Sequence, residues 1–234
     1  MPYLALATDY DGTIAHDGIV DAPTIAALER LRAAARKVIL VTGRELDELL
    51  PCLPRIDLFD LVVAENGALL YCPATGAARA LAEPPPPEFV ARLRGLGVRP
   101  LTVGRSIVAT TDPHEPIVLA AIDALGLDLR IIRNKDAVMV LPPGISKDSG
   151  LRAALAELAI SPTDTVAVGD AENDFAFLRL CGLAVAVANA LPAVKDAADL
   201  VTQGARGAGV VELIERWLGG DLPPPNPASD AIRL

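Results

Sequence analysis

The sequence predicts an α/β protein, a parallel sheet flanked by helices, into which a small α+β domain is inserted. Three observations predict it. Short apolar runs alternate with helix-like segments through residues 1–83. Four consecutive prolines, Pro84 to Pro87, then break the alternation, because proline neither continues a helix nor joins a central strand. After Pro142-Pro143-Gly144 the alternation resumes, so residues 1–83 and 144–218 read as one core and residues 84–143 as the insertion.

Each element follows from its local pattern. Tyr3 to Thr8 is a short apolar run that suits a buried parallel strand, with loop after it. From Ala22 to Ala35, Ile25, Leu28, Leu31 and Arg32 keep helical spacing, and Arg36 and Lys37 lie where a helix ends. Lys37 to Thr42 begins the next strand, another ends near Ala64, and Ala68 to Tyr71 is the second arm of a turn at Glu65-Asn66-Gly67. The insertion offers a helix over Glu88 to Leu96, a β-rich stretch over Arg105 to Thr111, a helix over Glu115 to Leu125, and strands at Leu129 to Ile132 and Ala137 to Leu141. In the second half, Leu151, Leu155 and Leu158 share a helical face within Lys147 to Ala159. Strands are expected at Thr165 to Val168, Ala184 to Val187 and Leu200 to Val201. The stretch Gly204 to Gly209 reads as a loop, because no βαβ unit follows it and its glycines miss the dinucleotide spacing. Residues 219–234 are Pro-rich and read as a mobile tail or linker.

Composition excludes several classes. With 21 Lys plus Arg against 30 Asp plus Glu, the net charge of −9 provides no basic footprint for nucleic acid. No run approaches 18 uninterrupted apolar residues, and the N-terminus has no basic region ahead of its apolar run, so neither a membrane span nor a signal peptide is expected. Cys52, Cys72 and Cys181 form no metal-binding pair and read as reduced core thiols of a cytoplasmic protein.

The chemistry-bearing residues gather at strand ends. Asp9-Tyr10-Asp11-Gly12-Thr13 places two carboxylates directly after the first strand, and Gly169-Asp170-Ala171-Glu172-Asn173-Asp174 follows the strand at Thr165 to Val168. In a parallel sheet both clusters emerge at one edge, where ligands of open α/β sheets bind. Carboxylates converging there repel one another unless a divalent cation joins them, and hard oxygen ligands favour magnesium. Thr42-Gly43-Arg44 brings a hydroxyl and close-approach N–H groups to the same edge. Lys147 opens a helix, an unfavourable place for a cation unless it serves an anion.

In this order, DYDGT, TGR, a lone Lys147 and GDAEND, the chain resembles the haloacid dehalogenase superfamily of phosphohydrolases. Glu65-Asn66-Gly67 and the ADLVT run at Ala198 to Thr202, followed by Gly209-Val210, are similar to its Cof-like (IIB) branch, whose cap is inserted after the second motif. The small cap is similar to that of the archaeal-type phosphoglycolate phosphatases. The resemblance implies a Rossmann-like core and a magnesium-dependent phosphatase for a small phosphorylated metabolite, phosphoglycolate or a sugar phosphate, acting through an aspartyl-phosphate.

It also implies roles. Asp9 is the nucleophile, and Asp11 protonates the leaving alcohol and then deprotonates water. Asp9 and Asp170 bind magnesium by their carboxylates and Asp11 by its backbone carbonyl, with Asp174 in support. Thr42, Gly43, Lys147 and Asn173 hold the phosphoryl oxygens, and Arg44 joins the substrate-binding set. Asp11 separates phosphatases from dehalogenases, which typically lack this second carboxylate. A phosphomutase or phosphotransferase of the same superfamily, or a ligand-sensing module tethered by the tail, are the alternatives. Glu65 and Asn66 fit either the site entrance or a plain tight turn. His16 reads as a surface residue, and one of Arg105, His114, Arg133 and Lys135 is expected to meet a second anionic group of the substrate.

Overall fold

The structure is a computed structural model, described here for residues 3–134 and 136–225. In chain order the elements are β1 (Ala5–Thr8), β2 (Ala15–His16), β3 (Ile19–Val20), α1 (Ala22–Ala33), β4 (Lys37–Val41), α2 (Leu46–Cys52), β5 (Leu61–Ala64), β6 (Leu69–Cys72) and β7 (Ala77–Ala80). The inserted stretch holds α3 (Pro87–Gly95), β8 (Thr102–Val103), β9 (Val108–Thr111), α4 (Glu115–Leu125), β10 (Arg130–Asn134) and β11 (Ala137–Leu141). Then follow α5 (Lys147–Glu157), β12 (Thr165–Gly169), α6 (Phe175–Leu180), β13 (Leu183–Ala186), α7 (Pro192–Ala197), β14 (Leu200–Val201) and α8 (Gly207–Gly219).

One eight-stranded sheet runs in the order β14-β13-β12-β1-β4-β5-β6-β7. Its six strands from β14 to β5 are parallel, and β6 and β7 add an antiparallel edge. The central strands β1, β5, β12 and β13 are buried at every residue, as parallel strands covered on both faces must be. From β1 the chain goes to β4 on one side and returns to β12 on the other, so β1 is the switch point of the sheet. A crevice opens beyond the carboxyl ends of strands at such a point. Helix α1 packs against α8, and α5 against α6.

The second sheet, β10-β11-β9-β8, is antiparallel. On β11, Val140 joins Phe89, Leu93, Val118 and Ile122 under α3 and α4, whereas Met139 and Leu141 pack with Ile107 and with Ala68 of the large sheet unit. Period-two alternation thus gives one face to a local core and the other to the joint between the two sheets.

Local chemistry explains the boundaries. Asp21 Oδ1 accepts the Thr24 N–H at 2.9 Å and starts α1. Pro87, last of the four prolines, is helical and opens α3, a position where a missing N–H costs nothing. Residues 15–20, read as loop, form the β2–β3 hairpin, because Asp17 and Gly18 take the positive φ values, 50° and 76°, of a tight two-residue turn. Gly207 to Gly209, read as loop, instead open α8.

Two further expectations are corrected. The tail does not leave the surface at Gly219: Leu222 packs on the main core and Tyr3 Oη donates to the Pro223 carbonyl at 2.9 Å. Residues 226–234 lie outside the described residues. Of the three thiols only Cys181 is buried; Cys72 is half-buried and Cys52 is exposed on the short helix α2. Among the described residues no helix is long and apolar enough to cross a membrane.

Candidate active site

At the carboxyl end of β1, Asp9 enters a buried cluster with Lys147, Asp170 and Asp174. Lys147 Nζ donates to Asp9 Oδ1 and to Asp174 Oδ1, each at 2.6 Å. The other oxygen of Asp174 accepts the backbone N–H of Asp170 at 2.8 Å and of Ala171 at 3.0 Å. Asp174 therefore has both oxygens engaged and fixes the turn that carries Asp170. One carboxylate oxygen from each of Asp9, Asp170 and Asp174 lies within 4.8 Å of the others. Three acidic groups against one ammonium leave an excess of negative charge in a dry place.

The proton affinities reflect this. Burial pushes the Asp9 carboxyl up to about 8, repulsion from Asp174 and Asp170 adds to it, and the ammonium of Lys147 only partly opposes them. Burial alone would lower the Lys147 pKa, but the carboxylates of Asp174 and Asp9 outweigh it and hold the ammonium charged.

The loop after Asp9 is shaped by glycine. Gly12 has φ +87°, and a Cβ there would lie 2.4 Å from Asp170 Oδ2, so the two acidic loops touch through bare backbone. Thr13 Oγ1 donates to Asp170 Oδ1 at 3.2 Å. Asn189, which sequence reasoning missed, donates its amide to the Gly12 carbonyl at 2.8 Å and accepts the Arg206 N–H at 2.7 Å. Only its place just past β13 hinted at such a role.

Arg44 grips Asp11 with a two-pronged fork, at 2.6 Å from Nε and 2.7 Å from the terminal nitrogen. Its guanidinium lies 5.1 Å from the centre of the Tyr10 ring, and its hydrogen bonds to Asp11 raise its own pKa. Thr42 is buried, and its hydroxyl accepts the Arg44 N–H at 3.1 Å. Asn173 donates to Asn66 Oδ1 at 3.3 Å, leaving its own Oδ1 buried without a partner.

A cleft of about 190 Å³ opens over these groups. Asp9, Asp11, Thr42, Gly43 and Arg44 form its floor, Glu45 and Glu48 one side, and the inserted sheet its roof through Thr102, Ile107, Ala109, Asn134, Ala137 and Met139. Burial raises the pKa of Glu45. The sequence did not single out Glu45, Glu48 or Asn134, whose surroundings depend on how the insertion docks. Of the four insertion residues from which one contact to a second anionic group is expected, three do not line the cleft. Arg105 pairs with Asp47, His114 with the Arg99 carbonyl, and Arg133 with Asp112 and Glu115. Lys135 lies outside the described residues. His16 is exposed, as expected.

Comparison with known proteins agrees with this architecture. The sequence model of the haloacid dehalogenase-like hydrolase family matches residues 6–81 and 118–214. The chain is 32% identical to a phosphoglycolate phosphatase of Methanothermobacter thermautotrophicus over 92% of its length and 99% of the relative. It is 30% identical to phosphoglycolate phosphatase 2 of Saccharolobus solfataricus, over 94% of each chain. A haloacid dehalogenase-like hydrolase from Bacteroides thetaiotaomicron shares the fold with a TM-score of 0.78 at 19% identity, over 92% of this chain and 99% of that one. A subclass IIB sugar phosphatase of the same superfamily gives 0.72 at 22%, over 93% and 99%. The family match covers both halves of the large sheet and leaves out residues 82–117, and the two relatives align over more than nine-tenths of the chain, so the chain belongs to the haloacid dehalogenase-like hydrolases, as a phosphatase of their Cof-like branch.

Proposed function

We propose that this protein is a magnesium-dependent phosphatase that hydrolyses a small phosphorylated metabolite, phosphoglycolate or a sugar phosphate, through an aspartyl-phosphate on Asp9. The observation that carries the reading is the Asp9–Lys147–Asp174 array at the foot of a cleft roofed by the inserted domain, which acts as a cap. The names of the two relatives favour phosphoglycolate. The cleft size favours a small ester.

The donor set fits a hard divalent cation: all-oxygen, converging and short of positive charge. Asp9 and Asp170 would hold magnesium by their carboxylates and Asp11 by its backbone carbonyl, with Asp174 fixing the Asp170 turn. When bound, the ion offsets charge on the phosphoryl oxygens and on the two aspartates.

The chain's own groups carry the rest. An Asp9 carboxylate oxygen forms a bond to phosphorus in line as the ester oxygen leaves, and Asp11 gives that oxygen a proton. Water then loses a proton to Asp11 and attacks phosphorus, which releases inorganic phosphate and restores the carboxylate. Lys147, Thr42, Gly43 and Asn173 hold the phosphoryl oxygens through the transition state. Phosphate monoesters are among the slowest substrates to hydrolyse unaided, with enzymatic accelerations up to ~10²¹, so these contributions must act together.

The test is phosphate release from phosphoglycolate and a panel of sugar phosphates, with and without chelator, by the unmodified protein and Asp9→Asn. Loss of activity on chelation and on substitution is expected. Equal activity in the two proteins would overturn the reading.

A further inference from the structure

Glu65-Asn66-Gly67 takes no part in the chemistry above, yet its backbone is held in the left-handed region at three successive residues, with φ of 52°, 55° and 105°. Glycine adopts this region freely and asparagine tolerates it, whereas glutamate does not favour it. A fold keeps such a residue where other contacts over-determine it.

Those contacts join the two sheets. Glu65 is only 1% exposed, and its carboxylate reaches into the cap: Oε1 accepts the Arg105 N–H at 3.0 Å and Oε2 the Ser106 N–H at 2.6 Å. Ser106 is buried too, and its hydroxyl donates to the Ala82 carbonyl in the linker entering the cap, at 3.0 Å. Bare backbone makes the approach possible, since a Cβ on Gly104 would sit 2.9 Å from Glu65 Oε2. On its own side, the Glu65 N–H donates to the Arg44 carbonyl at 2.9 Å and the Asn66 N–H to the Thr42 carbonyl at 3.0 Å. One residue thus ties the Thr42-Gly43-Arg44 loop to the β8–β9 hairpin, whose Thr102, Ile107 and Ala109 roof the cleft.

A buried carboxylate is costly, and Glu65 forms no salt bridge among the described residues; its charge is met by main-chain N–H dipoles of the hairpin. We propose that Glu65 is a positioning residue that seats the cap hairpin over the cleft and fixes it relative to the Thr42-Gly43-Arg44 loop. It acts on the leaving-group end of the substrate through that hairpin and touches no reacting atom. The kinetic part of the proposal rests on the phosphatase reading; the seating itself does not.

The test uses the full chain and Glu65→Gln, which keeps the size but turns an NH₂ toward one of the two N–H groups. Amide hydrogen exchange across residues 102–111 is expected to accelerate roughly tenfold or more, the loss of a hydrogen bond to a charged group, while β1, β4 and β12 stay unchanged. KM for the metabolite ester that the unmodified protein prefers should rise roughly tenfold, whereas kcat/KM for acetyl phosphate, a small acyl phosphate that needs no cap contact, stays within about twofold. Gly104→Ala, whose Cβ would lie 2.7 Å from Ile107 Cγ2 and 2.9 Å from Glu65 Oε2 and so push hairpin and carboxylate apart, should reproduce this pattern and serves if Glu65→Gln fails to fold. Unchanged exchange over 102–111 in both variants, or an equal loss with both substrates, would overturn the proposal. An unmodified protein inactive on every ester would instead overturn the phosphatase reading, with hydrogen exchange still deciding the seating.

Discussion

Arg44 holds Asp11 by both carboxylate oxygens, at 2.6 and 2.7 Å, while itself lying over the Tyr10 ring. The hydroxyl of Tyr10 in turn donates to the Gly18 carbonyl of the β2–β3 hairpin at 2.9 Å. The carboxylate assigned to proton transfer is thereby oriented by a planar cation rather than left to rotate. Lysine has one charged nitrogen and no fork. Arg44→Lys is therefore expected to lower kcat/KM by about a hundredfold, the effect of misplacing a reacting group by about 1 Å, with the melting temperature nearly unchanged. Steady-state kinetics and a thermal melt check it; a loss under threefold would contradict the orienting role.

Magnesium should stabilise the folded protein, because the converging carboxylates of Asp9, Asp170 and Asp174 exist only there. At a hundred times its dissociation constant the ion would contribute about 2.7 kcal/mol, a rise of roughly 5–10 °C for a chain of this size. Asp170→Asn should abolish this increment while leaving the metal-free melt intact or slightly higher. A magnesium shift of equal size in the variant would remove Asp170 from the ligand set.

The metal-free protein should lose stability as pH rises. Asp9 has a folded pKa raised from 3.8 to about 8, so the folded state holds a proton that the unfolded chain has released. Its contribution is complete below about pH 4 and is lost as pH climbs through 8. Asp9→Asn mimics the protonated form at every pH, so the difference between the two proteins isolates the effect. Urea unfolding in chelator from pH 5 to 9 should show the unmodified protein falling progressively below Asp9→Asn; parallel curves would contradict it. Added magnesium, which binds the ionised carboxylate, should reverse the trend.

Gly67→Ala should be destabilising and harmful to turnover although Gly67 has no reactive group. Its φ is +105°, and a Cβ would lie 2.0 Å from the Ser146 carbonyl oxygen, at the cap of the helix that begins with Lys147. Strain at a positive φ costs more than about 1 kcal/mol, and relief by shifting Ser146 would move Lys147 from Asp9. The urea midpoint and kcat should both fall; an unchanged midpoint would contradict the close approach.

Much of the candidate site was readable because it is local. Asp9, Thr42 and Asp170 each follow an apolar strand within a residue or two, and strand and turn patterns are short-range properties. The parallel sheet then delivers all three to one edge whatever the details of packing. Asp17-Gly18 was equally local and was missed, since two-residue strands leave too short an alternation beside a motif rich in polar residues.

What the chain determined by itself is therefore the alternation of the long buried strands with helices and the motifs at the strand ends, whereas the β2–β3 hairpin, α2 and β7 went unread. Tertiary structure alone decided the pairings: Lys147 with Asp9, 138 positions away, Arg44 with Asp11, 33 away, and Glu65 with Ser106, 41 away. It also placed Arg105, His114 and Arg133 away from the cleft and brought Asn134 and Glu45 to it. The physical reason is that periodicity and turn chemistry act over a few residues. The partner of a buried charge is set by which loops and helices meet in space, around the large sheet for Lys147 and Arg44 and between the two docked sheets for Glu65.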